Sequence, residues 1–130
     1  MHTAKPPQGR GWKTVGYSDF ITLDGTVHNL RRYNSDNWVD IGEVTNGAAG
    51  INSISRHVCY AGGMDAWMKS AKDTRTPQQE AALEAYVKKT LRYHPGILIA
   101  GHNQFSPKAC PSFSVPTWLH SIGIPKKNIY

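Results

Sequence analysis

An amphipathic helix over residues 76–93 is the clearest structural signal in this chain. Thr76 and Gln79 have the spacing of a capping box, and Pro77 stands at the first helical position, which needs no N–H donor. One face carries apolar residues at every fourth position, namely Leu83, Val87 and Leu91. His94-Pro95-Gly96 ends the pattern. At 1.5 Å per residue the helix would be about 27 Å long, enough to cross one face of a sheet.

Strand-like segments lie on both sides of this helix. They have β-branched or aromatic composition and occupy residues 17–23, 26–30, 55–61 and 97–100, with a further short strand expected at 38–41. Asp24-Gly25 predicts the tight turn of a hairpin between the first two. A helical turn is expected at 65–69 and a second short helix at 115–122, capped by Ser114.

The order of these elements predicts an α/β fold. We expect one domain over residues 1–130, with an irregular segment at 1–10. Its mixed central sheet would have about four to five strands, with one long helix and one or two short helices packed on it. Ligands of such sheets usually gather at the carboxyl ends of strands.

The overall charge favours an anionic partner, and the lack of a long apolar run argues against a membrane-spanning helix. The net charge is +6, but the basic residues are dispersed, so a merely solvated basic surface is an equally good interpretation. Nucleic acid as a partner has only this charge in its favour and is not expected. No apolar run approaches the roughly 18 residues of a membrane span, and residues 1–7 lack the apolar region of a signal peptide. No feature of the sequence indicates an oligomeric state.

The strand expected at 97–100 leads into a loop that carries two kinds of metal-binding side chain. His102 stands where that strand should end, and the loop returns at Cys110, where Pro111 stops any continuation. Imidazole and thiolate are among the ligands that zinc prefers. Their spacing matches no standard structural zinc motif, so a capped loop with a buried cysteine is the alternative. A disulfide between Cys59 and Cys110 would also exclude a metal role for Cys110.

The stretch GHNQFSPKACPSF at 101–113 resembles the zinc-dependent N-acetylmuramoyl-L-alanine amidases of the bacteriophage lysozyme type, relatives of the peptidoglycan recognition proteins. Further similar stretches extend the resemblance from Gly11 to about Leu119: GWKTVGY, DGTV, NGAAGIN, HVCYAGG and DTRTPQQ. The resemblance implies Zn²⁺ as cofactor, with His102 and Cys110 as ligands. It also implies that Lys108 steadies the oxyanion and that Tyr17 lies beside the catalytic water.

The resemblance further implies a peptidoglycan hydrolase that cleaves the amide bond between N-acetylmuramic acid and L-alanine. Such a protein, made in the cytoplasm without a signal peptide, would act on the cell wall after release, in a phage or prophage context. In the family the first zinc ligand is a His on a strand well upstream of Gly11, where this chain has only ten residues, so we expect a shortened chain. His57 is expected to be a packed or hydrogen-bonded core residue and His2 to be mobile. The alternative function is therefore a non-catalytic peptidoglycan-binding module derived from such an amidase.

Overall fold

The computed structural model describes residues 17–32, 39, 43–45, 50–64, 70, 72–107 and 109–130. Several predictions lie outside these residues: the irregular segment at 1–10, nearly all of the strand at 38–41, the helical turn at 65–69 and the placement of Lys108. Among the described residues, no helix combines the length and the apolar character that a membrane crossing requires.

Helix α1 spans Pro77–Tyr93 and begins where the sequence predicts. The capping box is complete: the Gln79 backbone N–H donates to Thr76 Oγ1 at 3.1 Å, and the Thr76 N–H donates to Gln79 Oε1 at 3.0 Å. These two bonds satisfy backbone donors that the first helical turn would otherwise leave open. The predicted start and end of the helix are therefore confirmed.

Three short strands form one sheet in the order β2-β1-β3, with β1 at Asp19–Ile21, β2 at Val27–Asn29 and β3 at Val58–Tyr60. β1 and β2 are antiparallel neighbours joined by a tight turn. Of the two predicted turn residues, only Gly25 has a positive φ, at +86°. β3 runs parallel to β1, because the Ser18 N–H donates to His57 O and the Ala61 N–H donates to Ile21 O, each at 2.8 Å. The sheet is therefore mixed, as predicted.

The described residues form three strands, fewer than the four to five expected. Residues 97–100 are not a strand, and Ile99 makes only an isolated parallel bridge with Ile129. The side-chain amide of Asn128 donates to Pro95 O and Ile97 O, both at 2.8 Å, so it occupies backbone acceptors that a neighbouring strand would use. The apolar run at 97–100 is paired with the C-terminal segment instead of extending the sheet.

The chain divides into two compact units with different interiors. The first consists of Met1–Phe20 and Val27–Cys59, and the second of Ile21–Thr26 and Tyr60–Tyr130. The buried residues described in the first unit are polar: Ser18, Asp19, Glu43 and Thr45.

The apolar core of the second unit forms where α1 meets a second helix, α2, at Val115–Ser121. Its buried members are Val87, Val115, Leu119 and Ile124. The predicted cap of α2 is confirmed, since Ser114 Oγ accepts from the Thr117 N–H at 3.4 Å. Three short 3-10 helices, Asn52–Ile54, His102–Gln104 and Lys126–Asn128, complete the described elements.

The turn between β1 and β2 should respond to acid. Asp24 Oδ1 accepts hydrogen bonds from the Thr22 hydroxyl at 2.6 Å and from the Thr26 N–H at 3.0 Å, which lowers the Asp24 pKa from 3.8 to about 2. Because the folded-state pKa is depressed, the stabilisation is complete above pH 3.8 and is lost as pH falls through about 2. Thermal unfolding of wild type and Asp24→Asn should therefore differ above pH 3.8 and converge near pH 2. A difference that persists unchanged at pH 2 would contradict this assignment.

Candidate metal centre

His102 lies in the second unit, at the start of a 3-10 turn fixed by hydrogen bonds at both ends. The Gly101 N–H donates to Gln104 Oε1 at 2.7 Å, and the Gln104 N–H donates back to Gly101 O at 3.0 Å. The Phe105 N–H donates to His102 O at 3.0 Å. The backbone that carries the half-buried imidazole is thus held in one conformation.

Glycine is required immediately before His102. A Cβ on Gly101 would lie 2.7 Å from Asn103 Oδ1 and 2.8 Å from Val115 Cγ2. Both distances are shorter than a carbon atom tolerates, and Val115 belongs to the buried core. The sequence Gly101-His102 therefore lets the turn pack closely against α2.

Cys110 closes the same loop. The Asn103 N–H donates to Cys110 O at 2.7 Å, and the Asn103 side-chain amide donates to Phe113 O at 3.2 Å. The residue after His102 is thus hydrogen-bonded to the backbone of Cys110, as expected if the loop returns at that residue. No disulfide joins Cys59 and Cys110, and both side chains are half-buried.

The two residues after Cys110 are hydrogen-bonded to the last residue of β3 and to Gly63 shortly after it. The Tyr60 hydroxyl donates to Pro111 O at 2.6 Å, and Ser112 Oγ donates to Gly63 O at 2.7 Å. Ser112 has a φ of +72°, a left-handed conformation that is costly for a residue with a side chain. The surrounding bonds, including the Ser112 N–H to Ala109 O at 2.6 Å, hold it there.

A buried arginine packs on the aromatic residue that follows. The Arg75 guanidinium lies 3.5 Å from the centroid of the Phe113 ring, and its side chain is only 7% exposed. Its Nε and Nη2 donate to the two carboxylate oxygens of Asp73, each at 2.9 Å. These hydrogen bonds hold the pKa of Asp73 below its usual range. Arg75 thus joins the segment before α1 to the segment after Cys110.

Tyr17 belongs to the first unit, next to a buried polar network. Ser18 Oγ donates to His57 O at 2.7 Å, and the Asn29 side-chain amide donates to Asp19 Oδ1 at 2.9 Å. Arg56 forms an ion pair with Asp19 at 3.5 Å. Tyr17 itself is half-buried. The two residues that follow it, Ser18 and Asp19, are held by these hydrogen bonds and the ion pair.

His57 is hydrogen-bonded in the first unit, as the sequence predicts. Its Nδ1 lies 2.7 Å from Thr45 Oγ1, and the residue is half-buried. This contact gives His57 a local structural partner.

The donor chemistry at the loop fits a zinc ion in part. His102 and Cys110 supply imidazole and thiolate from two backbone segments that are joined by a hydrogen bond. Within residues 17–32, 39, 43–45, 50–64, 70, 72–107 and 109–130, however, no group of three or more His, Cys, Asp or Glu side chains could hold a metal. Tyr17 lies in the other unit, and Lys108 lies outside the described residues.

Sequence reasoning missed two residues that support the loop, Tyr60 and Arg75. Tyr60 looks like an ordinary strand residue, and its partner Pro111 is 51 positions away. Arg75 stands in DTRTPQQ, a stretch singled out only as the entry to α1. No periodicity or spacing in the sequence connects either residue with the segment 110–113.

Two solved structures with the same fold are named as amidases. The chain superposes on the N-acetylmuramoyl-L-alanine amidase LysC from Clostridium intestinale with a TM-score of 0.66 and 20% identity, covering 89% of this chain and 70% of that one. The endolysin amidase LysCS from the same organism gives the same TM-score and identity and is covered over 68% of its length. The described architecture is therefore that of the N-acetylmuramoyl-L-alanine amidase fold.

Sequence relatives identify the family more closely. The endolysin of Enterobacteria phage K11 is 36% identical over 110 residues, 85% of this chain and 67% of the relative. The endolysin of Escherichia phage T7 is also 36% identical over 110 residues, 84% of this chain and 66% of the relative. No family model matches the chain. The chain belongs to the family of these phage endolysins and spans about two thirds of their length.

Proposed function

We propose that this chain is a peptidoglycan hydrolase that cleaves the amide bond between N-acetylmuramic acid and the L-alanine of the stem peptide. The observation that carries the proposal is the loop 101–113 in a chain of the endolysin family. His102 and Cys110 stand there on backbone segments joined by a hydrogen bond of 2.7 Å. Imidazole and thiolate on one closed loop are suited to a zinc-dependent hydrolase.

His102 and Cys110 are the proposed Zn²⁺ ligands. A bound zinc ion would supply Lewis acidity, which polarises the amide carbonyl and lowers the pKa of the attacking water. The protein would contribute the two ligands, both half-buried, on a loop backbone fixed by hydrogen bonds.

Lys108 and Tyr17 are the proposed catalytic side chains. Lys108, two residues before Cys110, would place a positive charge where the carbonyl oxygen becomes negative. The Tyr17 phenol would hydrogen-bond the attacking water or the departing amine of L-alanine. Both roles rest on the resemblance of 11–17 and 101–113 to the amidase motifs.

The proposed partner is bacterial peptidoglycan, reached after release from the cell in a phage or prophage context. Stem peptides carry carboxylates, and a chain with net charge +6 is attracted to such a polymer. The attraction is long-ranged and raises the rate of encounter.

A non-catalytic peptidoglycan-binding module is the second candidate. One observation favours it: the described residues contain no group of three potential metal ligands. Zinc held by two protein ligands is weakly bound and poorly shaped for catalysis. Binding to the wall without hydrolysis would then be the whole activity.

Purified sacculi separate the two candidates. The full chain, incubated with sacculi and Zn²⁺, is expected to release stem peptides with a new L-alanine amino terminus, detected by mass spectrometry. A chelator should stop the release, and added zinc should restore it. Sedimentation of the chain with sacculi and no released peptide would support the binding module instead. Release of sugar reducing ends would contradict both candidates.

A further inference from the structure

We propose that Tyr60 is a positioning residue for Cys110, its hydroxyl holding the Pro111 carbonyl so that the thiolate keeps the direction needed to bind a divalent metal. This inference rests on the proposed function, because it assumes that Cys110 is a metal ligand. Tyr60 would touch neither metal nor substrate and would act through the backbone of the residue after Cys110.

The bond between Tyr60 and Pro111 is short and partly buried. Tyr60 is the last residue of β3 and is only 6% exposed. Its hydroxyl donates to Pro111 O at 2.6 Å. A buried tyrosine hydroxyl needs a hydrogen-bond partner, and the Pro111 carbonyl supplies it. The carbonyl of the residue after Cys110 is therefore hydrogen-bonded to the last residue of β3.

A second bond joins the next residue, Ser112, to Gly63, three residues after the end of β3. Ser112 Oγ donates to Gly63 O at 2.7 Å, which holds Ser112 at its unfavourable φ of +72°. Backbone strain of this kind is retained only where surrounding contacts determine it, and it is frequent at functional sites. Ser112 also packs closely against Gly63, since a Cβ on Gly63 would lie 3.3 Å from Ser112 Oγ.

Together these contacts hold two successive carbonyl groups. Cys110 O accepts from the Asn103 N–H at 2.7 Å, and Pro111 O accepts from Tyr60. With its own carbonyl and the next one held, the thiol of Cys110 retains little freedom beyond rotation about its Cα–Cβ bond. Groups that orient a metal ligand in this way typically change metal affinity by about 10- to 100-fold when they are removed.

A purely structural role for Tyr60 makes a different prediction. Tyr60 also lies 6.2 Å from Phe113, ring centroid to ring centroid, and could serve only to fill that region. Its hydroxyl would then affect the free energy of unfolding but not the metal. Tyr60→Phe keeps the ring and removes only the donor, so the two roles can be distinguished.

The test is cobalt titration of the full chain, followed by the thiolate-to-cobalt charge-transfer absorption. Tyr60→Phe is expected to bind Co²⁺ about 10-fold more weakly than wild type and to show a shifted band. Tyr93→Phe is the matched control, because it makes the same change on a tyrosine of α1 that is 69% exposed, and it should titrate like wild type. Thermal unfolding in the presence of a chelator reports any loss of stability separately.

Each result is decisive. An unchanged cobalt affinity and band in Tyr60→Phe, while wild type shows the thiolate band, overturns the role of Tyr60 and leaves the proposed function standing. Absence of the band from wild type overturns both, because Cys110 is then no ligand. If Tyr60→Phe does not fold, Ser112→Ala replaces it and is expected to weaken cobalt binding in the same direction.

Discussion

His102→Ala is expected to lower the hydrolysis of sacculi by at least about 100-fold. The substitution removes one of the proposed zinc ligands, and the metal contributes several kcal/mol of transition-state stabilisation, with about 1.4 kcal/mol for each tenfold in rate. The 3-10 turn His102–Gln104 should persist, since its bonds are made by backbone groups and by Gln104. The measurement is the rate of stem-peptide release at saturating zinc.

His120→Ala is the matched control for this experiment. His120 lies in α2, in the same unit, and is exposed. The same change of residue type there should leave the rate of hydrolysis unaltered. Wild-type activity in His102→Ala would refute the proposed ligand role.

Gln79→Ala is expected to lower the free energy of unfolding by about 2–4 kcal/mol, because each hydrogen bond lost costs about 1 kcal/mol and buried groups left unsatisfied cost more. Gln79 is completely buried. Its Oε1 accepts from the Thr76 N–H at 3.0 Å, and its Nε2 donates to Ala61 O at 2.9 Å and to Ile21 O at 3.3 Å. One side chain thus caps α1 and joins it to the ends of two strands within the second unit.

The neighbouring glutamine provides the comparison. Gln78 is exposed in the first turn of the same helix, so Gln78→Ala changes the same residue type without removing buried bonds. Urea unfolding of both variants should show a clear loss of stability for Gln79→Ala alone. Equal free energies of unfolding for the two variants would show that the buried bonds of Gln79 contribute nothing.

The features that the sequence predicted well are determined locally. The capping box and Pro77 define the first turn of α1 within four residues, and the structure has that turn. The hairpin turn at Gly25 follows in the same way from a residue that tolerates positive φ. Neither feature depends on a distant part of the chain.

The features that the sequence could not supply depend on distant partners. Residues 97–100 have strand composition, but the Asn128 side chain takes the carbonyls of Pro95 and Ile97 and leaves only a bridge at Ile99. The alternation of apolar residues reports burial and not which segment pairs with which. Gln79 was similarly recognised as a cap, while its bonds to two strand ends follow only from the tertiary structure.

For the candidate site, too, the local features were predictable from the sequence and the long-range contacts were not. The return of the loop at Cys110 follows from Pro111 and from the resemblance of 101–113, and the Asn103–Cys110 bond agrees with it. The supports of the loop, Tyr60 and Arg75, come from segments 51 and 38 positions away from their partners Pro111 and Phe113. Long-range contacts of this kind leave no spacing pattern in a single sequence.

Equilibrium dialysis of the purified full chain against zinc, followed by elemental analysis, tests the central claim most directly. The account predicts about one zinc ion per chain in wild type at a zinc concentration that leaves His102→Ala and Cys110→Ser almost empty, because each variant loses one of the two proposed ligands. Zinc retained at the wild-type ratio in both variants, or absent from wild type, would contradict it.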